Sequence, residues 1–192
     1  MADTNKIKYG IKNVYYAVAT IASNGSATYA SPKALPGAVS ISLDAQGETK
    51  KFFADNVVYY TSVANNGYEG DLEVAKLTDD FLKDILGYGT DHNGVLYEDA
   101  GAAVVHFALL FQFEGDAHAR RHVLYNCTCN RPSVSGSTKE DAIEPQTETV
   151  TITATTVYNA EYDKDIVKAS VTPTESTEYN GWTAAVYQIT ST

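Results

Sequence analysis

The chain has 192 residues, 44% of them hydrophobic and 20% charged, proportions that suit a folded domain with a buried core and exclude a disordered, collagen-like or coiled-coil chain. Fourteen Lys and Arg against 24 Asp and Glu leave a formal charge of -10, the wrong sign for gripping nucleic-acid phosphates. The longest apolar stretch, Ala102 to Phe111, contains His106 and falls well short of the roughly 20 residues that cross a bilayer, so no membrane span is expected.

Residues 1–10 lack the apolar core and small-residue cleavage site of a secretory signal, so synthesis in the cytoplasm is expected. Cys127 and Cys129 are the only cysteines and stand one residue apart. They cannot tie distant segments together, and stability has to come from burial.

Alternation at the two-residue period recurs along the chain and predicts a mainly β protein. Val14, Tyr16 and Val18 share one face of a first strand, Asn24-Gly25 offers positive φ for a tight hairpin turn, and Tyr29 falls on the returning strand. Val39, Ile41 and Leu43 alternate with Ser40 and Ser42, predicting a strand with one buried and one polar face. A turn is expected at 44–47, followed by strands over 50–53 and 57–60. A long polar loop is expected over 61–70, before strand character resumes at Leu72-Glu73-Val74.

Thr78 stands where an N-cap hydroxyl belongs, and Asp79 and Asp80 suit the positive end of a helix dipole. Phe81, Leu82, Ile85 and Leu86 form an apolar stripe, so one short helix is predicted over about 78–86, ended by Gly87. Val105, Phe107, Leu109, Phe111 and Phe113 line the most apolar strand, which turns at Glu114-Gly115-Asp116 into a strand from Arg121 to Cys129. Residues 132–145 read as a loop, and 149–155 set three apolar side chains against four threonines. Two weaker apolar patches, 166–171 and 182–187, predict a C-terminal arm or extra strand from about residue 158 on a single domain spanning 1–192.

Residue types suited to a metal gather only at His118, His122, Cys127 and Cys129. On an unbroken strand the cysteines face away from the histidines, so buried cysteines acting as small hydrophobes are expected, with no metal and no cofactor. The pairs Asp79 with Asp80 and Glu140 with Asp141 fit a helix N-terminus and a solvated loop better than an acid and base pair. With no G-x-S-x-G elbow, phosphate loop or dinucleotide fingerprint, no enzyme is expected. Among the 14 tyrosines, Tyr15 and Tyr16 suit a half-buried strand, whereas Tyr59, Tyr60 and Tyr68 flank the polar loop and fit packing and interface equally.

Taken in order, segments 8–17 (KYGIKNVYYA), 35–39 (LPGAV), 53–57 (FADNV), 65–73 (NNGYEGDLE), 107–116 (FALLFQFEGD), 121–127 (RHVLYNC) and 139–149 (KEDAIEPQTET) carry a resemblance. They resemble successive segments of the major tail proteins, or tail tube proteins, of long non-contractile-tailed bacteriophages of Gram-positive hosts. The resemblance implies a tail-tube-type β-sandwich or barrel with a short flanking helix. It also implies a structural virion protein, made in the host cytoplasm, whose subunits form rings, usually hexameric, that stack into a hollow tube conducting DNA during ejection. Implied partners are further copies of the chain and the tape measure, tail terminator and distal tail proteins, with DNA passing through without specific binding and no membrane involved.

Relatives use a strand-connecting loop to reach a neighbouring subunit. Tyr59, Tyr60, Asn65, Asn66 and Tyr68 are therefore expected at subunit or inter-ring contacts. Ser40, Ser42, Thr151 and Thr153 are candidates for the lumen face, although an outer solvent-facing surface predicts the same alternation. An acidic lumen would repel phosphate and let DNA slide. The competing expectation is a monomeric β-sandwich that binds carbohydrate or a surface ligand through Trp182 and exposed tyrosines.

Overall fold

The computed structural model describes residues 7–115, 119–138 and 145–190. Asp116, His118, Glu140 and Asp141 of the sequence reading lie outside them. In chain order the strands are β1 (Tyr9–Ile21), β2 (Ala27–Tyr29), β3 (Lys33–Ala34), β4 (Ala38–Gln46), β5 (Thr49–Ala54), β6 (Val57–Val63) and β7 (Gly67–Val74). Helix α1 (Asp79–Asp84) follows, then β8 (Gly89–Thr90), β9 (Leu96–Tyr97), β10 (His106–Glu114), β11 (Arg121–Cys129) and β12 (Glu148–Thr155). Strands β13 (Val157–Asn159), β14 (Lys164–Ile166) and β15 (Lys168–Val171) precede a second helix, α2 (Ser176–Gly181). The protein is mainly β, as its alternation predicts, with two short helices where one was expected.

One antiparallel sheet dominates, in the order β2-β1-β10-β11-β12-β7-β4, with β3 added to β1 and β15 to β11. The sheet curls until β1 and β4 approach each other. Its concave side encloses the larger core: Val14 and Tyr16 from β1, Leu72 and Val74 from β7, Phe107 and Leu109 from β10, and Val150 and Ile152 from β12. Helix α1 closes this core. The Thr78 hydroxyl accepts from the Phe81 amide at 3.2 Å, and Phe81 enters edge-on against Tyr16 and Phe107, with centroids 5.0 and 6.0 Å apart.

A second core lies on the other side of β1, β10 and β11, where Ala17, Leu110, Val123 and Tyr125 are covered by Val157, Val171, Trp182 and Val186. The C-terminal segment is thus a roof. Trp182 is 3% exposed and stacks on Tyr187 at 5.5 Å, Tyr125 donates to the Tyr187 carbonyl, and Asn159 donates to that of Ile189. Its strand β15 pairs with only the first half of β11, Arg121 to Leu124, while Asn126 to Cys129 pair with β12.

That division coincides with a bulge. Phe107 faces Cys127 and Leu109 faces Leu124, so β11 spends one residue more than β10 over this interval. The extra residue reverses the side-chain alternation: Leu124 and Cys127 both enter the larger core, and Val123 and Tyr125 both enter the second. The expectation that His122 and the cysteines face opposite ways assumed an unbroken strand and is corrected. His122 stacks on Phe111 at 5.2 Å, on the side of the sheet that Cys127 also faces.

Other local expectations change for similar reasons. Residues 44–47 are not a turn, because β4 continues to Gln46 opposite Gly67. Val39 is the extra residue of a bulge between Ala38 and Ser40 and is half exposed, so of the three expected residues Ile41 and Leu43 pack against the core, and Ala38 joins them in place of Val39. At the β1–β2 connection Gly25 alone has positive φ, within a five-residue link (22–26) that the Asn24 side chain closes by accepting from the Ser26 amide. The predicted loop over 61–70 is mostly strand: β6 runs to Val63, β7 begins at Gly67, and only 64–66 join them. Its glycines, Gly67 and Gly70, are ladder positions. A Cβ at Gly67 would meet the Ala154 carbonyl, and one at Gly70 would meet that of Ser42.

Candidate functional site

Strand β7 carries Glu69, Asp71 and Glu73 at alternate positions, which turns all three carboxylates to the side of the sheet away from Leu72 and Val74. Register places a hydroxyl or acid on each flank. Ser40 and Thr149 face Glu73, Ser42 and Thr151 face Asp71, and Asp44 and Thr153 face Glu69. The four residues expected on a polar lumen face, Ser40, Ser42, Thr151 and Thr153, are therefore brought together around an acidic stripe. None of these facing positions is a lysine or arginine.

The panel is internally ordered. Ser40 donates to Glu73 at 2.8 Å, Thr147 donates to the other Glu73 oxygen at 2.6 Å, and Thr151 donates to Asp71 at 2.8 Å. Hydrogen bonds from Thr147 and Ser40 hold the Glu73 carboxyl below the usual carboxylate range, so it stays charged. The C-terminal roof covers β1, β10 and the first half of β11 on this same side and leaves β12, β7 and β4 open. Strand β4 ends the sheet with one ladder edge unpaired among the described residues. Sequence reasoning named the serines and threonines but missed the β7 acids, although their alternation with Leu72 and Val74 is readable once Gly70 is allowed inside a strand.

Beyond Gln46 and Gly67 the chain leaves the sheet as the β5–β6 hairpin, a separate two-stranded ladder. Its turn is the pair Asp55-Asn56, with φ of 51° and 61°, the doubly positive geometry that matches strand twist. Phe52, Phe53, Val57, Val58, Tyr59, Tyr60 and Val63 are all exposed, Tyr59 and Val63 at 75%. Of the expected contact residues, Tyr59 and Tyr60 lie on this arm and Asn65 and Asn66 at its base, where the Asn65 side chain accepts from the Gly67 amide. Tyr68 separates from them. It turns to the larger core, under the Lys168 ammonium 4.5 Å from its ring centroid.

Elsewhere the chemistry is muted. Burial pushes the Cys127 thiol up and the Cys129 thiol up to about 12, which makes both poor ligands and poor nucleophiles at neutral pH. Among the described residues no group of three or more His, Cys, Asp and Glu side chains is arranged to hold a metal ion, and no helix is long and apolar enough to cross a membrane. Trp182, the stacking residue of the carbohydrate reading, is buried and cannot offer a face to a sugar. Compared with models of known protein families and with curated proteins, the chain has no match in either.

Proposed function

We propose that the chain is a self-assembling structural subunit of a hollow tube, of the tail tube kind its sequence segments resemble. One observation carries the reading: the β5–β6 hairpin projects a row of large apolar side chains that no described residue covers. A two-stranded hairpin is marginal in water, and an uncovered apolar arm on an otherwise well-packed protein marks a surface that is buried on association. The unpaired edge of β4 gives a second place where copies extend one another, since closing a sheet into a barrel removes its edges.

In this reading rings of subunits stack with the acidic panel turned to the lumen, where Asp44, Glu69, Asp71 and Glu73 repel the DNA backbone and keep it from sticking during ejection. No reaction is catalysed. The partners are other copies, with the tape measure, terminator and distal tail proteins at the two ends, and the location is the virion.

Negative-stain electron microscopy across a protein concentration series, with light scattering on the same samples, tests the proposal. Stacked rings with a central hole are expected, with or without an initiating complex. Isolated monomers under every condition, initiator included, would overturn it. For the lumen assignment, lysine at positions 69, 71 and 73 is expected to leave tubes intact and slow DNA release in reconstituted tails; unchanged release refutes the panel's role.

A further inference from the structure

Beside the base of the hairpin lies a pocket of about 230 Å³. Its walls include Leu43, Tyr68, Phe113 and His122, and two ammonium groups stand at it: Lys8, 4.8 Å from the Phe113 centroid, and Lys168, 4.5 Å from that of Tyr68. Among the described residues neither lysine pairs with a carboxylate. In a chain of net charge -10, two cations resting on aromatic faces around a hollow walled by both apolar side chains and His122 favour an occupant that is aromatic and negatively charged.

The hairpin tip has that composition. Phe53 is 61% exposed two residues before the bend, and Asp55 sits at the bend itself with no ion-pair partner among the described residues. A cavity of about 150 Å³ accepts a benzene ring, so the space suffices for one phenyl side chain. The tip stays out of its own chain's pocket, since Thr49–Phe53 and Val57–Val63 are exposed throughout.

We propose that the tip of the β5–β6 hairpin of one copy docks in this pocket of another copy, inserting Phe53 beside Phe113 and His122 and setting Asp55 against Lys8 and Lys168. The inference rests on the self-assembling reading and names the surface that receives the arm. It assigns the hairpin a specific socket rather than general stickiness, and makes each subunit both donor and acceptor, a head-to-tail contact that propagates.

The test removes or reverses these charges, read by sedimentation velocity and electron microscopy. Asp55→Asn, which keeps a residue tolerant of positive φ, and the pair Lys8→Glu with Lys168→Glu, at exposed positions, are each expected to weaken self-association at least tenfold while the circular dichroism of the monomer stays unchanged and its melting shifts by only a few degrees, from the loss of the two ring contacts. Adding Asp55→Lys to the lysine-reversed chain is expected to restore association to within about threefold of the original. Ring or tube assembly unaffected by either change overturns the socket and leaves the tube reading standing. Charge-sensitive association that yields no rings supports the socket and overturns the tube reading, and a chain that never associates overturns both.

Discussion

Replacing Trp182 with alanine tests whether the C-terminal segment is a built-in layer or a loose arm. The side chain is 3% exposed, lies flat on Tyr187 with an interplanar angle of 18°, and its indole nitrogen donates to the His122 carbonyl across 3.4 Å. A buried tryptophan hides roughly 200 Å² of largely apolar surface, an upper bound of about 5 kcal/mol at 25 cal/mol per Å². Truncations of this kind in packed cores cost about 3–5 kcal/mol. We therefore expect Trp182→Ala to lower the urea unfolding free energy by about 4 kcal/mol with little change in m. The melting temperature should fall by about 8–16 °C, on a scale of roughly 2–4 °C per kcal/mol for a chain of this size. A loss under about 1 kcal/mol would refute the roof, because it would mean that Ala17, Leu110, Val123 and Tyr125 need no cover.

Hydrogen exchange of the isolated chain should show fast exchange across Thr49–Val63 and slow exchange in β10 and β12; strong hairpin protection there would contradict its isolation. Asn126 is a buried hub whose amide donates to the Thr155 hydroxyl and the Thr156 carbonyl, while its oxygen pairs with His106 Nδ1 at 2.7 Å. Asn126→Ala orphans these partners and should cost about 2–4 kcal/mol in urea unfolding, whereas Thr149→Ala on the exposed panel should cost under about 0.5 kcal/mol. Burial raises the hydroxyls of Tyr29 and Tyr125, that of Tyr16 with help from its hydrogen bond to Asp84, and both thiols. Their protonated forms favour the fold below the unfolded pKa values, and that stability is lost as pH rises. Urea midpoints should therefore hold to about pH 8 and then fall steeply through pH 9–12; a flat profile there would contradict the burial.

What the sequence reveals and conceals follows from which forces are local. Helix α1 is readable because Thr78, the acids after it and the stripe from Phe81 to Leu86 act within a few residues of one another. Strand β12 is readable because Val150, Ile152 and Ala154 alternate with threonines over an unbroken pleat. The bulges at Val39 and in β11 are not, since each is fixed by pairing with another strand rather than by neighbours in sequence, and each reverses the parity on which an argument from spacing depends. Gly67 and Gly70 conceal the most: read as loop residues, they hid both the length of the hairpin and the acidic stripe beside it. In the folded protein their missing side chains admit neighbouring backbone. The roof over 157–190 is hidden because its patches are short and gain meaning only against β11.

The divided pairing of β11 also bears on the order of events during synthesis. Its second half meets β12 some 25 residues later, but Arg121 to Leu124 wait for Lys168 to Val171. Until those residues leave the ribosome, half of a central strand presents free amides and carbonyls, and Val123 and Tyr125 face water. The nascent protein is then at its most vulnerable to capture by a neighbouring chain through an open edge. The roof closes that edge late, so this part of the sheet is protected only after the final strand is in place.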